Sequence, residues 1–336
     1  MTNKTKYINR GSRPTKTGFG EGVREIGRIN KNVIGIGADI TGSVGMNLFA
    51  EEFPERFVSL GIAEQNCVGV AAGLALAGKL PVFATYGVFS ALRTTDQIRI
   101  SLCYNDLHVI IGGAHAGISV GPDGATHQAL EDIAVMRVMP NMTVLSPCDA
   151  TQVKVAVAAA AAGAGTAAAA AAGAAVVNGP VYLRFGREAV PDFTDKDLPF
   201  EIGKAQVFHE GNDLTIIATG HMTWEALQAA YQLAEEGIGV RVVNMHTIKP
   251  IDRDIIVRSA RETGLILTAE EHQVAGGLGG AVAEVVAKEY PVPMDFVGIQ
   301  DSFGESGKPE DLMEKYGLTA GNIAEKARRL FLRYKD

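Results

Sequence analysis

The sequence predicts an α/β protein made of two doubly wound domains, and three observations carry that expectation. Short apolar runs alternate with helix-length amphipathic stretches, the pattern of a parallel sheet covered by helices on both faces. The alternation stops once, at the charged and prolyl stretch Glu188–Leu198, and then restarts. The length of 336 residues suits about two domains of ordinary size. The expected organisation is a first domain over 1–190, a linker over 191–200 and a smaller domain over 201–336.

In the first domain, Val33–Ala38, Phe57–Leu60, Leu80–Thr85, His108–Gly112, Thr143–Ser146 and Val181–Phe185 read as buried strands. Between them Ala63–Ala77, Val88–Leu102, Gln128–Val138 and Asp149–Ala162 have helix length, with Asp149 as a natural N-cap just after Pro147. In the second domain, Lys204–Phe208, Leu214–Ala218, Val240–Met245, Leu265–Ala269 and Met294–Ile299 read as strands. Trp224–Glu236, Asp252–Thr263, Gly277–Glu289 and Ala320–Arg333 read as helices. Residues 156–175 hold fifteen Ala, three Gly, one Val and one Thr. Alanine favours helix, but no apolar stripe offers a docking face. A surface helix running into a flexible loop is expected there.

Composition narrows the function classes. Hydrophobic residues at 47% and charged residues at 21% exclude disorder as the main state. A net charge of −7 argues against a dedicated nucleic-acid binder, but leaves a small phosphorylated substrate open. Cys67, Cys103 and Cys148 make neither a disulfide framework nor a metal cluster. A reducing, cytoplasmic setting is expected. Residues 1–16 are polar and basic, so no export signal is expected. The longest low-charge run, Val155–Val177, is alanine and glycine rather than leucine and isoleucine, so no membrane segment is expected.

Several residues are placed to carry chemistry. Glu64, in Gly61-Ile-Ala-Glu-Gln65, opens an apolar helix. A carboxylate at a helix start can simply complement the dipole. This helix is apolar on nearly every face, so burial makes Glu64 a candidate proton-sharing group. His115, Asp123 and His127 lie in a glycine-rich loop after the strand that ends near Gly112. That loop belongs at the carboxyl edge of the sheet, where open α/β folds bind ligands. Metal ligation fits poorly there, because the spacing is long and no cysteine completes a set. Tyr86, Phe89 and Leu92, three apart, form either core or a ring-stacking wall. Arg184 and Arg187, with Lys16, could grip a phosphate, or could be surface ion pairs. Gly276–Gly280 precedes a helix and could bind an anion. His272, in Glu270-Glu-His-Gln273, reads as structural.

Together these pieces resemble the thiamine-diphosphate-dependent transketolase family, in its C-terminal half: a pyrimidine-binding domain followed by a C-terminal domain. Gly61-Ile-Ala-Glu-Gln65 and His115…Gly121-Pro-Asp-Gly-Ala-Thr-His127 carry the resemblance. Asp301-Ser-Phe-Gly-Glu-Ser-Gly-Lys-Pro309 is similar to the split, two-subunit form. The resemblance implies that Glu64 bonds the pyrimidine ring nitrogen of thiamine diphosphate and activates the cofactor. It implies that Tyr86 and Phe89 pack on the pyrimidine, with Leu92 where an aromatic is common. It further implies that His115 and His127 contact sugar hydroxyls or the reacting carbonyl, that Asp123 reads a hydroxyl and that Arg187 binds the sugar phosphate. Ser43 and Lys16 would approach the phosphate, and Asp39 the cofactor.

The family carries a Gly-Asp-Gly…Asn signature for the diphosphate and its metal, and no Gly-Asp-Gly occurs in this sequence. The resemblance therefore implies that Mg2+ or Ca2+ and the diphosphate are held by a separate N-terminal subunit, most simply in an α2β2 heterotetramer. The implied reaction is ketol transfer between sugar phosphates. The alternatives are a 1-deoxyxylulose-5-phosphate synthase fragment, a 2-oxo-acid dehydrogenase β subunit, and a non-catalytic scaffolding subunit that kept the fold. His115 stands where the synthases usually carry a basic residue, which favours transketolase.

Overall fold

The strands at the centre of the first half are short, mostly apolar runs, and all of their residues but Tyr86 are buried. A computed structural model describes residues 7–162 and 178–335. Residues 163–177, most of the alanine tract, lie outside the described residues, as do Lys4 and Lys6. Seven strands form one sheet in the order Thr247–Lys249, Thr143–Leu145, Val181–Arg184, Ile110–Ala114, Leu80–Tyr86, Val33–Gly37, Phe57–Ser59. Six are parallel. Their carboxyl ends therefore share one edge, and the loops that leave this edge carry most of the candidate site.

The second sheet has five strands in the order Met294–Ile299, Ile266–Gln273, Leu214–Ala218, Val240–Asn244, Gln206–His209. Each sheet ends in one antiparallel strand, Thr247–Lys249 in the first and Gln206–His209 in the second. Both sheets are thus mixed rather than wholly parallel. Thr247–Lys249 follows a strand of the second sheet but pairs with Thr143–Leu145 of the first. The seam between the halves is apolar as well, since Met136 and Val144 share one buried cluster with Met245 and Leu278.

The helix Thr15–Ile29 has no counterpart in the sequence expectation. Four glycines lower its intrinsic propensity, but they let it approach its neighbours closely. A Cβ on Gly18 would fall 1.9 Å from the carbonyl oxygen of Ala150, and one on Gly22 would fall 2.8 Å from Cβ of Val157. The partner is the helix Ala150–Ala161, which buries Val153, Ala156, Val157 and Ala160. This corrects the expectation of a surface helix there. Small side chains provide the docking face by allowing backbone contact, which needs no wide apolar stripe. Asp149 caps the helix as expected, accepting from the Gln152 N–H at 2.8 Å. Its other contacts, the N–H groups of Phe193 and Thr194 and the Thr194 hydroxyl, fasten the start of the expected linker.

The stretch expected as a helix over Val88–Leu102 is helical but broken. Two wide turns with π-helical geometry, Phe89–Arg93 and Ile98–Cys103, flank a single turn at Thr95–Gln97. Such turns often mark functional sites, because they re-aim side chains. The helix expected from Gln128 starts at Asp132. Among the described residues, no helix is long and apolar enough to cross a membrane.

Candidate active site

Glu64 stands at the first turn of the helix Glu64–Leu76, which follows the edge strand Phe57–Ser59. It is buried, and its Oε1 accepts from Nη1 of Arg93 at 2.7 Å. Arg93 closes the π-turn that begins at Phe89, and its guanidinium lies 4.0 Å from the Phe89 ring centroid. Among the described residues no hydrogen bond reaches Oε2 of Glu64. Arg93 therefore ties the carboxylate to an aromatic face and leaves one oxygen for a ligand. Sequence reasoning missed Arg93. The available signal was a cation four residues after an aromatic, a spacing that brings two side chains together on a helix; the pairing with Glu64, 29 residues away, had no local signal.

Tyr86 ends the strand Leu80–Tyr86, and its ring centroid is 5.7 Å from that of Phe89. His115 follows the neighbouring strand Ile110–Ala114, and its ring lies 4.0 Å from Tyr86. The ring of His127 meets Tyr86 at 5.7 Å and Phe89 at 5.5 Å, both edge-on. The aromatic stripe is thus a wall facing the histidine loop. Leu92 is 44% exposed, which leaves that end of the wall open. Beside it runs a groove of about 330 Å³ lined by Val88, Phe89, Leu92, Arg93, Thr126 and Phe303.

The loop itself is held in an uncommon backbone shape. His115 adopts φ +54 despite its side chain. Its ring is buried, and Nδ1 has no hydrogen-bond partner among the described residues. Burial, then the nearby charges of Lys16 and Arg187, push the His115 pKa down to about 4, so the ring is neutral at neutral pH. The unfolded chain takes up this proton near pH 6.5. The native state resists it down to about pH 4, so folding loses roughly 3 kcal/mol across that window as pH falls. Burial lowers His246 and His272 in the same direction, so His115→Gln should flatten the acid limb of a pH–stability curve without abolishing it. Parallel curves for variant and wild type would contradict the assignment.

Asp123 and Arg187 pair at 3.0 Å, with side chains 31% and 34% exposed. An ion pair that exposed is weak, so Arg187 can turn to an incoming anion at small cost. Thr15 pins the Arg187 turn to the start of the helix carrying Lys16, accepting from the Gly186 N–H at 2.7 Å. The turn after Ser43 reaches the same place, since a Cβ on Gly45 would fall 2.4 Å from the carbonyl oxygen of Lys16. Lys16, Ser43, Arg187 and the histidine loop thus gather at one edge. Asp39, at φ +67, leaves the same edge after Val33–Gly37. It is exposed and makes no hydrogen bond or ion pair among the described residues.

Two candidates fall away. Arg184 is buried and donates from Nε to Asp132 at 2.9 Å, and from Nη2 to the backbone oxygens of Ala129 and Glu271. With Nε and Nη2 committed inside the protein, it serves the seam between the halves rather than an exposed phosphate site. The Gly276–Gly280 helix start is filled by a carboxyl group of the protein itself. Glu270 accepts from the N–H groups of Leu278 and Gly279, both at 2.7 Å. Burial nonetheless pushes its carboxyl up to about 8. His272 is structural, buried against Asp132 and Glu270. No group of three or more His, Cys, Asp or Glu suited to a metal occurs among the described residues.

The site suits a flat heteroaromatic ligand. It offers an aromatic wall, a buried carboxylate with one uncommitted oxygen, and a neutral imidazole with an unpartnered nitrogen.

Comparison with known proteins gives the lineage. The profile for the transketolase pyrimidine-binding domain matches residues 12–192, and that for the transketolase C-terminal domain matches 203–323. A putative transketolase C-terminal section from Methanocaldococcus jannaschii is 42% identical, over 93% of this chain and 94% of that protein. A 6-deoxy-6-sulfo-D-fructose transketolase subunit from Clostridium sp. is 39% identical, over 90% of each. A 1-deoxy-D-xylulose-5-phosphate synthase from Geobacter sulfurreducens is 37% identical, over 91% of this chain but only 46% of its own length. Among solved structures, a split-gene transketolase described as an inactive β4 tetramer superposes with a TM-score of 0.84 at 45% identity, covering 96% of this chain and 99% of its own.

Proposed function

The chain belongs to the transketolase family, which depends on thiamine diphosphate, and from that premise we propose that it is the C-terminal subunit of a split enzyme. The reaction is transfer of a two-carbon ketol unit. The donor is a ketose phosphate such as xylulose 5-phosphate, and the acceptor an aldose phosphate such as ribose 5-phosphate or erythrose 4-phosphate. The observation that carries this reading is the meeting of Glu64, the Tyr86–Phe89 wall and the His115–His127 loop at one sheet edge.

Each residue then has a task. Thiamine diphosphate, when bound, supplies the nucleophilic carbon that carries the two-carbon unit. Glu64 holds a proton at the pyrimidine nitrogen through Oε2 while Arg93 keeps its carboxylate oriented. Tyr86 and Phe89 pack against the pyrimidine face. His115, neutral and buried, bonds the reacting carbonyl or a hydroxyl through its unpartnered Nδ1. His127 and Asp123 read sugar hydroxyls, and Arg187, with Lys16 and Ser43 beside it, binds the terminal anion. Asp39 lies on the cofactor side of that edge.

Guanidinium and ammonium groups also suit a sulfonate, and the Clostridium relative favours that second reading of the donor. The chain spans about half the length of the synthase it matches, and His115 favours transketolase over that reading. The diphosphate and its Mg2+ or Ca2+ are assigned to an N-terminal subunit bearing Gly-Asp-Gly…Asn, in an α2β2 assembly. Three buried free cysteines suit a cytoplasmic setting.

The test is ketol transfer by the purified chain with thiamine diphosphate, alone and with the candidate partner, using phosphorylated and sulfonated donors in parallel. Transfer is expected only with the partner present. Full activity from the chain alone would mean that its own residues hold the diphosphate and metal, and the split-site reading would be abandoned.

A further inference from the structure

We infer that the C-terminal domain sets the shape of the histidine loop, with Glu271 as a positioning residue for substrate recognition. The inference rests on the functional reading above only in calling this loop the substrate loop. Glu271 lies on the strand Ile266–Gln273 of the second sheet, and it is buried. Its Oε1 accepts from the backbone N–H of Ser119 at 2.6 Å. Its Oε2 lies 3.1 Å from Nδ1 of His221, also in the second half of the chain. Gly117, at φ +85, packs so closely that a Cβ there would fall 2.1 Å from Cδ of Glu271. A carboxylate of one domain thus replaces solvent for the loop of the other.

A second arm grips the loop from the segment after Asp301. Gln128 donates from Nε2 to the carbonyl oxygens of Ile118, at 3.1 Å, and Glu305, at 2.9 Å. A Cβ on Gly304 would fall 1.9 Å from Oε1 of Gln128, and one on Gly124 would fall 2.5 Å from Oγ of Ser306. The loop needs such support. His115, Gly117, Gly121 and Gly124 all have positive φ. A non-glycine residue in that region persists only where its surroundings hold it. Release of Ser119 would let the backbone between the two histidines relax, and their spacing would change. Neither Glu271 nor Gln128 belongs to the aromatic wall or to the Glu64–Arg93 pair, so cofactor binding should not depend on them.

The experiment uses the enzyme assembled with its partner subunit and compares Glu271→Ala with Glu271→Gln. Three quantities are measured: amide hydrogen exchange over 117–123, thiamine diphosphate affinity and KM for the sugar phosphates. In Glu271→Ala, exchange and KM should each rise about tenfold, the scale of one buried hydrogen bond lost, with cofactor affinity within about twofold of wild type. Glu271→Gln keeps an acceptor for the Ser119 N–H, so it should recover most of both effects. Wild-type exchange and KM in Glu271→Ala would overturn the inference. So would a glutamine variant as impaired as the alanine one. Gly304→Ala, which dislodges Gln128, provides the same contrast from the other arm if Glu271→Ala does not fold. If the wild-type assembly transfers no ketol unit, the functional reading fails, while the exchange measurement still decides the inference.

Discussion

Replacing Glu64 with alanine should lower turnover of the assembled enzyme by at least about 100-fold, the lower range for loss of a positioned proton-transfer group. The structure argues that this loss would be chemical. Glu64 is buried, but its partner Arg93 keeps 43% of its side chain exposed, so the orphaned guanidinium is solvated. An uncompensated cation in water costs little, and the fold should survive. Glu64→Gln is the sharper variant. It can still accept from Arg93, yet its amide cannot share a proton with a ring nitrogen. Both variants should therefore fail in steady-state ketol transfer while retaining a near-native unfolding transition. Turnover near the wild-type value in either would remove Glu64 from cofactor activation.

Arg184→Met should have the largest effect on stability. Arg184 and Asp132 have side chains only 6% and 0% exposed, and Asp132 also accepts from the Tyr182 hydroxyl at 2.8 Å. The variant strands a buried carboxylate and takes donors from the backbone oxygens of Ala129 and Glu271. Breaking such a pair from one side costs roughly 3–5 kcal/mol. One of the lost bonds, to Glu271, joins the two halves of the chain next to the histidine loop. Chemical denaturation of the variant should show the loss directly. A change under about 1 kcal/mol would mean that the network is dispensable.

The contrast between Arg184 and Arg187 shows where sequence reading stops. Three residues apart, both looked suited to an anion. Arg184 is the last residue of the strand Val181–Arg184 and turns into the seam, whereas Arg187 lies in the turn beyond and stays half-exposed. Nothing local separates them, because the deciding partner, Asp132, is 52 residues away. Glu270 and the glycines at 276–280 repeat the lesson. The helix start offers free N–H groups, and a carboxyl group of the same chain already occupies them.

What the sequence determined by itself is the set of features encoded within a few residues. Buried parallel strands are written as unbroken apolar runs, so Leu80–Tyr86, Ile110–Ala114 and Val181–Arg184 were legible, with the loops that follow them. The motifs around Glu64 and His115–His127 were legible for the same reason, and with them the family. Only the tertiary structure decided the helix Thr15–Ile29, the crossing of Thr247–Lys249 into the first sheet, and the roles of Arg93, Arg184 and Glu271. Each depends on a group distant in the chain: a backbone that glycine lets close, a sheet edge left open, or a charge waiting across a seam. Local propensity records none of these, because their free energy arises only when the two halves pack.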